Sequence, residues 1–275
     1  MSWSAVIAAL DRGDTFRSRV SVYLHPLAGR PIAWHVMRAL CDAAPPPEHV
    51  RILHLADIPM ALPTSLPVAV DAEPVPTGSE SVALRAALTT PGVKVLADGA
   101  APLLASTTIG RLLRVSEGAP AALMSSDGVA LALVGEGPAL ASAEDPRHPV
   151  APLRVAPTSE AELIRVHDRH SLSDAAVAIR DQIVREHEAK GVSFILPATT
   201  WVDADVRIGA DTVIYPGAVL EGQTEIGPEC VIGPYSRLVD ATIGRGVELK
   251  GWNYVSRTAI RNHAVLEPHV RRGYD

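Results

Sequence analysis

From Val202 onward an aliphatic residue recurs at every sixth position: Val202, Ile208, Ile214, Leu220, Ile226, Ile232 and Leu238. A five-residue step leads to Ile243, Leu249 and Val255, and a second to Ile260 and Leu266. Four positions after each aliphatic stands a mostly small residue: Val206, Thr212, Ala218, Thr224, Cys230, Ser236, Thr242, Val247, Asn253, Ala259, Ala264 and Val270. Glycine follows the aliphatic directly at Gly209, Gly227, Gly233 and Gly244. These hexads predict a parallel β-helix with three strands per coil, about four coils, over residues 192–275. The aliphatics are expected to point inward with the small residues beside them, and the Gly and Pro positions to turn the corners.

Upstream the period changes from six to that of a helix. Ala176, Ile179, Ile183, Val184 and His187 share one helical face, and Lys190–Gly191 reads as a stop. Ser159 and Glu162 have capping-box spacing. A linker helix is therefore predicted over 158–191, with a break near His170–Ser173. Residues 1–157 alternate buried-strand and helix patterns. Strands are predicted at Ala5–Leu10, Val50–Leu55, Pro67–Val70, Val93–Ala97, Ala121–Met124 and Val129–Val134. Helices are predicted at Pro31–Cys41, Ser79–Leu88 and Leu103–Arg114, with proline-rich loops at 43–48 and 138–157. The alternation implies a Rossmann-like α/β domain with a mainly parallel sheet.

Composition narrows the function classes. The 275 residues suit about two domains, and 47% hydrophobic against 20% charged residues argues for packed cores. Aromatics are only 4%, so aliphatics and alanines must fill those cores. The net charge of −6 leaves no basic footprint for nucleic acid and no polybasic run for an anionic membrane. No run of 18 apolar residues exists, and Ala5–Leu10 meets Asp11 and Arg12, which fits a buried strand better than a signal peptide. Cys41 and Cys230 cannot build a disulfide framework and read as structural. The expectation is a cytoplasmic protein in a reducing compartment. His25, His35, His49 and His54 lack metal-ligand spacing, and no serine sits in a nucleophile-elbow context.

Two stretches carry a resemblance. One is Leu24-His-Pro-Leu-Ala-Gly-Arg-Pro31; the other runs from Gly191 through Pro197, Trp201, Gly209, Asp211, Tyr215-Pro-Gly217 and Leu220-Glu-Gly222 to Pro234. Both resemble the bacterial bifunctional N-acetylglucosamine-1-phosphate uridylyltransferase/glucosamine-1-phosphate acetyltransferase family. The resemblance implies a nucleotidyltransferase-like domain (1–157), a linker helix (158–191) and a left-handed β-helix (192–275). It places nucleotide contacts at Ala9, Leu10, Gly13, Thr77 and Gly78.

The departures are concentrated at the sites. In the family's glycine-rich phosphate loop Asp11 replaces a glycine, and Thr15 stands at the arginine. Val22 stands at the family's lysine. The metal-holding aspartate falls on Ala100 without gaps, or on Asp98 if two residues are inserted. The metal-holding asparagine falls on His167, a poor magnesium ligand. The family's later coils, which carry acetyl transfer, have no counterpart, so a C-terminally truncated member without acetyltransferase activity is expected.

The resemblance with these departures implies a degenerate, catalytically impaired relative acting as a trimeric structural, scaffold or regulatory protein, with no cofactor. The alternative is an active sugar-1-phosphate nucleotidyltransferase using UTP, N-acetylglucosamine-1-phosphate and magnesium at Asp98 and His167. Its expected partners are copies of itself, through outward Val213, Val219, Val231 and Val239, and an active paralogue or another protein. The charged tail Arg271–Asp275 is expected to discourage end-to-end stacking.

Overall fold

The computed structural model describes residues 2–58, 60, 68–116 and 119–273. They form two compact units: Met1–Leu27 with Pro31–Ala175, and Ala28–Arg30 with Ala176–Asp275.

The first unit is built on a seven-stranded sheet. Its elements are β1 (Trp3–Ala9), α1 (Ile32–Cys41), β2 (His49–Leu55), β3 (Val70–Val75), α2 (Glu80–Leu88), β4 (Val93–Asp98) and α3 (Ser106–Val115). There follow β5 (Ala121–Met124), β6 (Ala130–Glu136), α4 (Gly137–Ala141) and β7 (Leu153–Arg154). The strand order is β3-β2-β1-β4-β6-β5-β7. Strands β3, β2, β1 and β4 run parallel, while β6 is antiparallel to β4 and β5. The central strands are apolar on both faces, as a parallel sheet covered by helices requires. Val6, Ala8, Leu53, Leu55 and Leu96 pack with Leu84 and Leu88 of α2, while Ile7 and Ile52, also fully enclosed, lie at alternate positions.

Several boundaries differ from expectation. The strand expected at Pro67–Val70 begins at Val70 and runs to Val75; Pro67 lies outside the described residues. Helix α3 begins at Ser106 because Leu103 and Leu104 are buried in the preceding loop. The expected 138–157 loop contains most of α4, which opens with Pro138 in its first turn, and also strand β7.

The linker helix is also shorter than expected. Residues Glu160–Leu163 form only a 3₁₀ turn, and Ser159 makes no side-chain cap; the Glu162 carboxylate accepts from Thr158 N–H instead. Helix α5 spans Arg169–Glu188. Its start is fixed by a reciprocal cap: Asp168 Oδ1 accepts from Ser171 N–H at 2.8 Å and Ser171 Oγ accepts from Asp168 N–H at 3.0 Å. That cap puts His170–Ser173 inside the helix, and the break falls before Arg169. Gly191, at φ 89°, ends the segment with its N–H on Glu188 C=O, as the sequence implied.

The second unit is a three-sided parallel β-helix. Fourteen short strands among the described residues stack into two five-stranded sheets and one four-stranded sheet. Strands at Ser193–Phe194 and Arg271–Gly273 extend the four expected coils at either end. Of the charged tail, Arg271–Gly273 is thus a strand, paired with Tyr254–Ser256; Tyr274 and Asp275 lie outside the described residues. The hexad aliphatics face inward, with Leu220, Ile232, Leu238, Leu249 and Val255 fully enclosed. Most of the small positions are buried beside them, and two of the polar ones are paired: Thr212 Oγ1 donates to Gly227 C=O at 2.9 Å, and Asn253 Nδ2 to Glu267 C=O at 2.7 Å. The expected slot Thr242 is instead exposed and Ala241 fills it, because the five-residue step moves the slot back by one. Ala259 is likewise exposed after the second short step.

Corners depart from the simple Gly/Pro expectation. Most left-handed positions hold other residues, in columns such as Asp211–Glu229–Gly246–His263 and Gly217–Tyr235–Trp252–His269. Each non-glycine costs about 1–2 kcal/mol in this conformation. It gains an inter-coil bond in return: Tyr235, Trp252 and His269 donate their N–H to Pro216, Pro234 and Gly251 C=O. The hexad glycines serve another purpose, close approach. A Cβ on Gly209 would lie 2.5 Å from Pro228 N, and one on Gly233 would lie 2.3 Å from Leu249 O. The tip Ala28–Arg30 belongs to this unit: Ala28 C=O accepts from Ala204 N–H at 3.0 Å, and Arg30 pairs with Asp205 at 2.5 Å.

Candidate functional site

In open α/β sheets ligands bind outside the carboxyl ends of the strands. At that edge of the first unit lies a small open depression, lined in part by Leu10, Asp11, Tyr23, Asp98, Arg147 and Arg165. Asp98 is the last residue of β4 and pairs in register with Ala8 of β1, so both strands deliver their ends to one place.

The loop after β1 is tied up by its own side chains. Asp11 Oδ1 accepts from Gly13 N–H at 2.9 Å, and Asp11 N–H donates to the Tyr23 hydroxyl at 2.9 Å. Gly13 is left-handed (φ 67°) and packs against Val22, which is buried. Burial, reinforced by Asp98, raises the Tyr23 pKa well beyond the ordinary phenol value. Thr15 Oγ1 donates to His167 C=O. Phe16 is packed between His25, ring centroids 4.4 Å apart, and the Arg169 guanidinium, 4.8 Å from its ring.

Asp98 is 7% exposed and fully engaged. Its Oδ1 accepts from Ala100 N–H at 2.8 Å and its Oδ2 from Arg165 Nε at 2.5 Å. Arg165 also reaches Asp11 Oδ2 at 3.3 Å. Burial works against the charge on Arg165, but the attraction and hydrogen bond of Asp98 outweigh it and raise its pKa. Arg147 faces the same depression with its own counter-ion, Asp145, through bonds of 3.0 and 2.8 Å. Burial opposes the charge on Asp145, but the Arg147 bonds bring its pKa down to about 2.

The sequence-derived residues are only partly brought together. Gly13, Thr15, Val22 and Asp98 belong to this neighbourhood, and Leu10 lines the depression while Ala9 is buried in β1. Thr77 lies with Arg12 (2.6 Å) and Asp57, and Gly78 N–H is bound to Glu80; none of these five lines the depression. Ala100 contributes a backbone N–H and a buried methyl, and Asp98 is the carboxylate that faces the depression. His167 does not join Asp98. Its Nδ1 lies 3.0 Å from Arg165 C=O and its Nε2 3.7 Å from Asp168. Arg147 and Arg165 were not singled out from the sequence; the one available signal was a charged residue between the apolar Ile164 and Val166.

The donor set does not fit magnesium. That ion needs free, hard oxygen ligands in near-octahedral array. Here both Asp98 oxygens are engaged, the second expected ligand is a histidine turned elsewhere, and among the described residues no three metal-ligating side chains converge.

The first unit has a nucleotidyltransferase-like, Rossmann-like fold with an aspartate at a central strand end, and the second is a hexapeptide-repeat β-helix. Residues 205–239 match the family "Bacterial transferase hexapeptide (six repeats)". The chain is 50% identical over 118 residues to the "Bifunctional protein GlmU" of Geobacillus sp. (strain WCH70), a match covering 42% of this chain and 25% of that protein. It is 27% identical to the protein of the same name from Mycobacterium tuberculosis, over 96% of this chain and 67% of that one. The first matches thus span about a quarter of the relatives' length. Among solved structures, "Structure of the Bifunctional IspDF from Campylobacter jejuni" shares the fold, with a TM-score of 0.50 and 14% identity over 63% of this chain and 54% of that one. These findings bear out the family resemblance read from the sequence.

Proposed function

We propose that this chain is a catalytically impaired relative of the bifunctional GlmU proteins, acting in the cytoplasm as a trimeric structural, scaffold or regulatory protein. The observation that carries the reading is the closed phosphate loop. The Asp11 and Gly13 N–H groups are already bonded to the Tyr23 hydroxyl and the Asp11 carboxylate. A triphosphate would displace those bonds and meet the Asp11 charge, a repulsion of about 1 kcal/mol at 4 Å in water and several at lower dielectric. Phosphoryl chemistry depends on charge neutralisation and positioning, and Val22 and Thr15 supply no charge.

The test is incubation of the purified chain with UTP, N-acetylglucosamine-1-phosphate and magnesium. No UDP-sugar is expected above background, and calorimetry should find UTP binding weaker than about 1 mM. The competing reading, an active nucleotidyltransferase with a rebuilt site, draws on Asp98 standing at the strand end. Magnesium-dependent turnover abolished by Asp98→Asn would establish that reading instead.

The trimer rests on the β-helix. Val213, Val219, Val231 and Val239 point outward and are only half-buried within one chain. Apolar outer faces gain by meeting copies of themselves. Light scattering should give three times 29.1 kDa, and a monomer at micromolar concentration would exclude the assembly.

A further inference from the structure

One guanidinium stands between the two carboxylates at the strand ends of the first unit. Arg165 places Nε 2.5 Å from Asp98 and Nη2 3.3 Å from Asp11. Asp98 comes from the end of β4 and Asp11 from the loop after β1, so the arginine joins the two parts of the sheet edge where ligand charge would sit.

The backbone aims it there. Val166 N–H donates to Ala100 C=O at 2.8 Å, and Ala100 N–H donates to Asp98 Oδ1 at 2.8 Å. The peptide that carries Arg165 is therefore fastened to the turn that orients its partner. The side chain is 20% exposed against 9% for Asp98, so water screens the pair only weakly. Other cations nearby are already matched: Arg147 has Asp145, and Arg12 has Asp57. Their partners leave Asp11 and Asp98 to Arg165.

We propose that Arg165 is a tethered cation: its guanidinium, bridging Asp11 and Asp98, occupies the Asp98 oxygen that a divalent metal would ligate and keeps it closed to metals. This rests on the reading above only in placing the site outside metal-dependent transfer. A divalent ion approaching Asp98 meets a fixed positive charge already bonded to the oxygen it would ligate. A carboxylate shared by two cations gives each less. The family's metal is thus replaced by a part of the chain, which neither dissociates nor responds to chelators.

The test uses Mn²⁺ alone, without nucleotide or sugar. Free Mn²⁺ is followed by its electron paramagnetic resonance signal during titration of the full chain. Wild type and Arg165→Lys, which keeps the charge, should bind no Mn²⁺ through Asp98. Arg165→Ala should gain one Mn²⁺ per chain at least about tenfold more tightly than wild type. Adding Asp98→Asn to Arg165→Ala should remove that gain. Arg165→Gln, which keeps a hydrogen-bond donor for Asp98, makes the same comparison if the alanine variant does not fold by circular dichroism. The proposal is overturned if wild type binds one Mn²⁺ that Asp98→Asn abolishes, or if folded Arg165→Ala and Arg165→Gln gain nothing. The two readings fail separately. Wild type that turns over UTP yet binds no Mn²⁺ through Asp98 overturns the non-catalytic reading and supports the tethered cation. Wild type that binds Mn²⁺ through Asp98 yet turns over nothing overturns only the tethered cation.

Discussion

Gly233→Ala is expected to destabilise the β-helix by about 3 kcal/mol, the upper end of overpacking costs. The new methyl would lie 2.3 Å from Leu249 O and 2.6 Å from Gly251 N, both main-chain atoms of the next coil. Gly233 N–H itself donates to Leu249 C=O at 2.8 Å, so the coil cannot move away without breaking the ladder. Rotamer adjustment offers no escape, because no flexible side chain is involved. For a unit of this size the melting temperature should fall by on the order of 15 °C. Gly110→Ala is the control. Its methyl would meet nothing closer than 3.8 Å in helix α3, and it should stabilise by about 0.5–1 kcal/mol. Thermal unfolding followed by circular dichroism compares the two. A Gly233→Ala melt within a few degrees of wild type would mean that the coils spread apart more easily than their hydrogen bonds allow.

Asp98→Ala carries the second large effect, a loss of about 3 kcal/mol. Removing one partner of a buried pair leaves the other charge without its counter-ion. Here it also removes the acceptor for the buried Ala100 N–H. Arg165 keeps Asp11, but at 3.3 Å and against a carboxylate that is 44% exposed. Combining Asp98→Ala with Arg165→Met should return more than half of the loss, since the methionine leaves no stranded charge. Urea unfolding of the two variants and wild type measures both. A loss below about 1 kcal/mol for Asp98→Ala would mark the pair as an exposed type of contact.

The β-helix was readable because every interior position repeats at a fixed distance, so one misread hexad is corrected by its neighbours. What the period could not show was the effect of the short steps, which place Ala241 rather than Thr242 inside. It also could not show that Tyr235, Trp252 and His269 take left-handed corners, since stacking supplies the support there. The two ring pairs lie 5.7 and 5.6 Å apart, each at 26°. In the first unit the parallel strands were visible as apolar runs, but pairing direction was not, because β6 reads the same in either orientation. At the candidate site the sequence showed only departures from the resembled family, at Asp11, Thr15 and Val22. The gain, Arg165, acts across 67 residues of sequence from Asp98. No local pattern encodes such a contact, which is created by the bond between Val166 and Ala100.

The spacing of the second unit has a consequence for how such a chain can change in length. Residues that face each other on adjacent coils are separated by 18 positions, as in Leu220 and Leu238, or by 17, as in Leu238 and Val255. Length is therefore quantised. Excising one whole coil returns each aliphatic to its rung and leaves the corner columns aligned. Excising six residues keeps the aliphatics inward but shifts everything beyond the cut by one face, so the column of Tyr235, Trp252 and His269 no longer lies over Gly217. The bare backbone of Gly217 is what lets the Tyr235 ring lie there, 2.5 Å from where a Cβ would stand. Insertions and deletions in this unit should thus survive as multiples of a turn, while the loops of the first unit are free to vary by single residues.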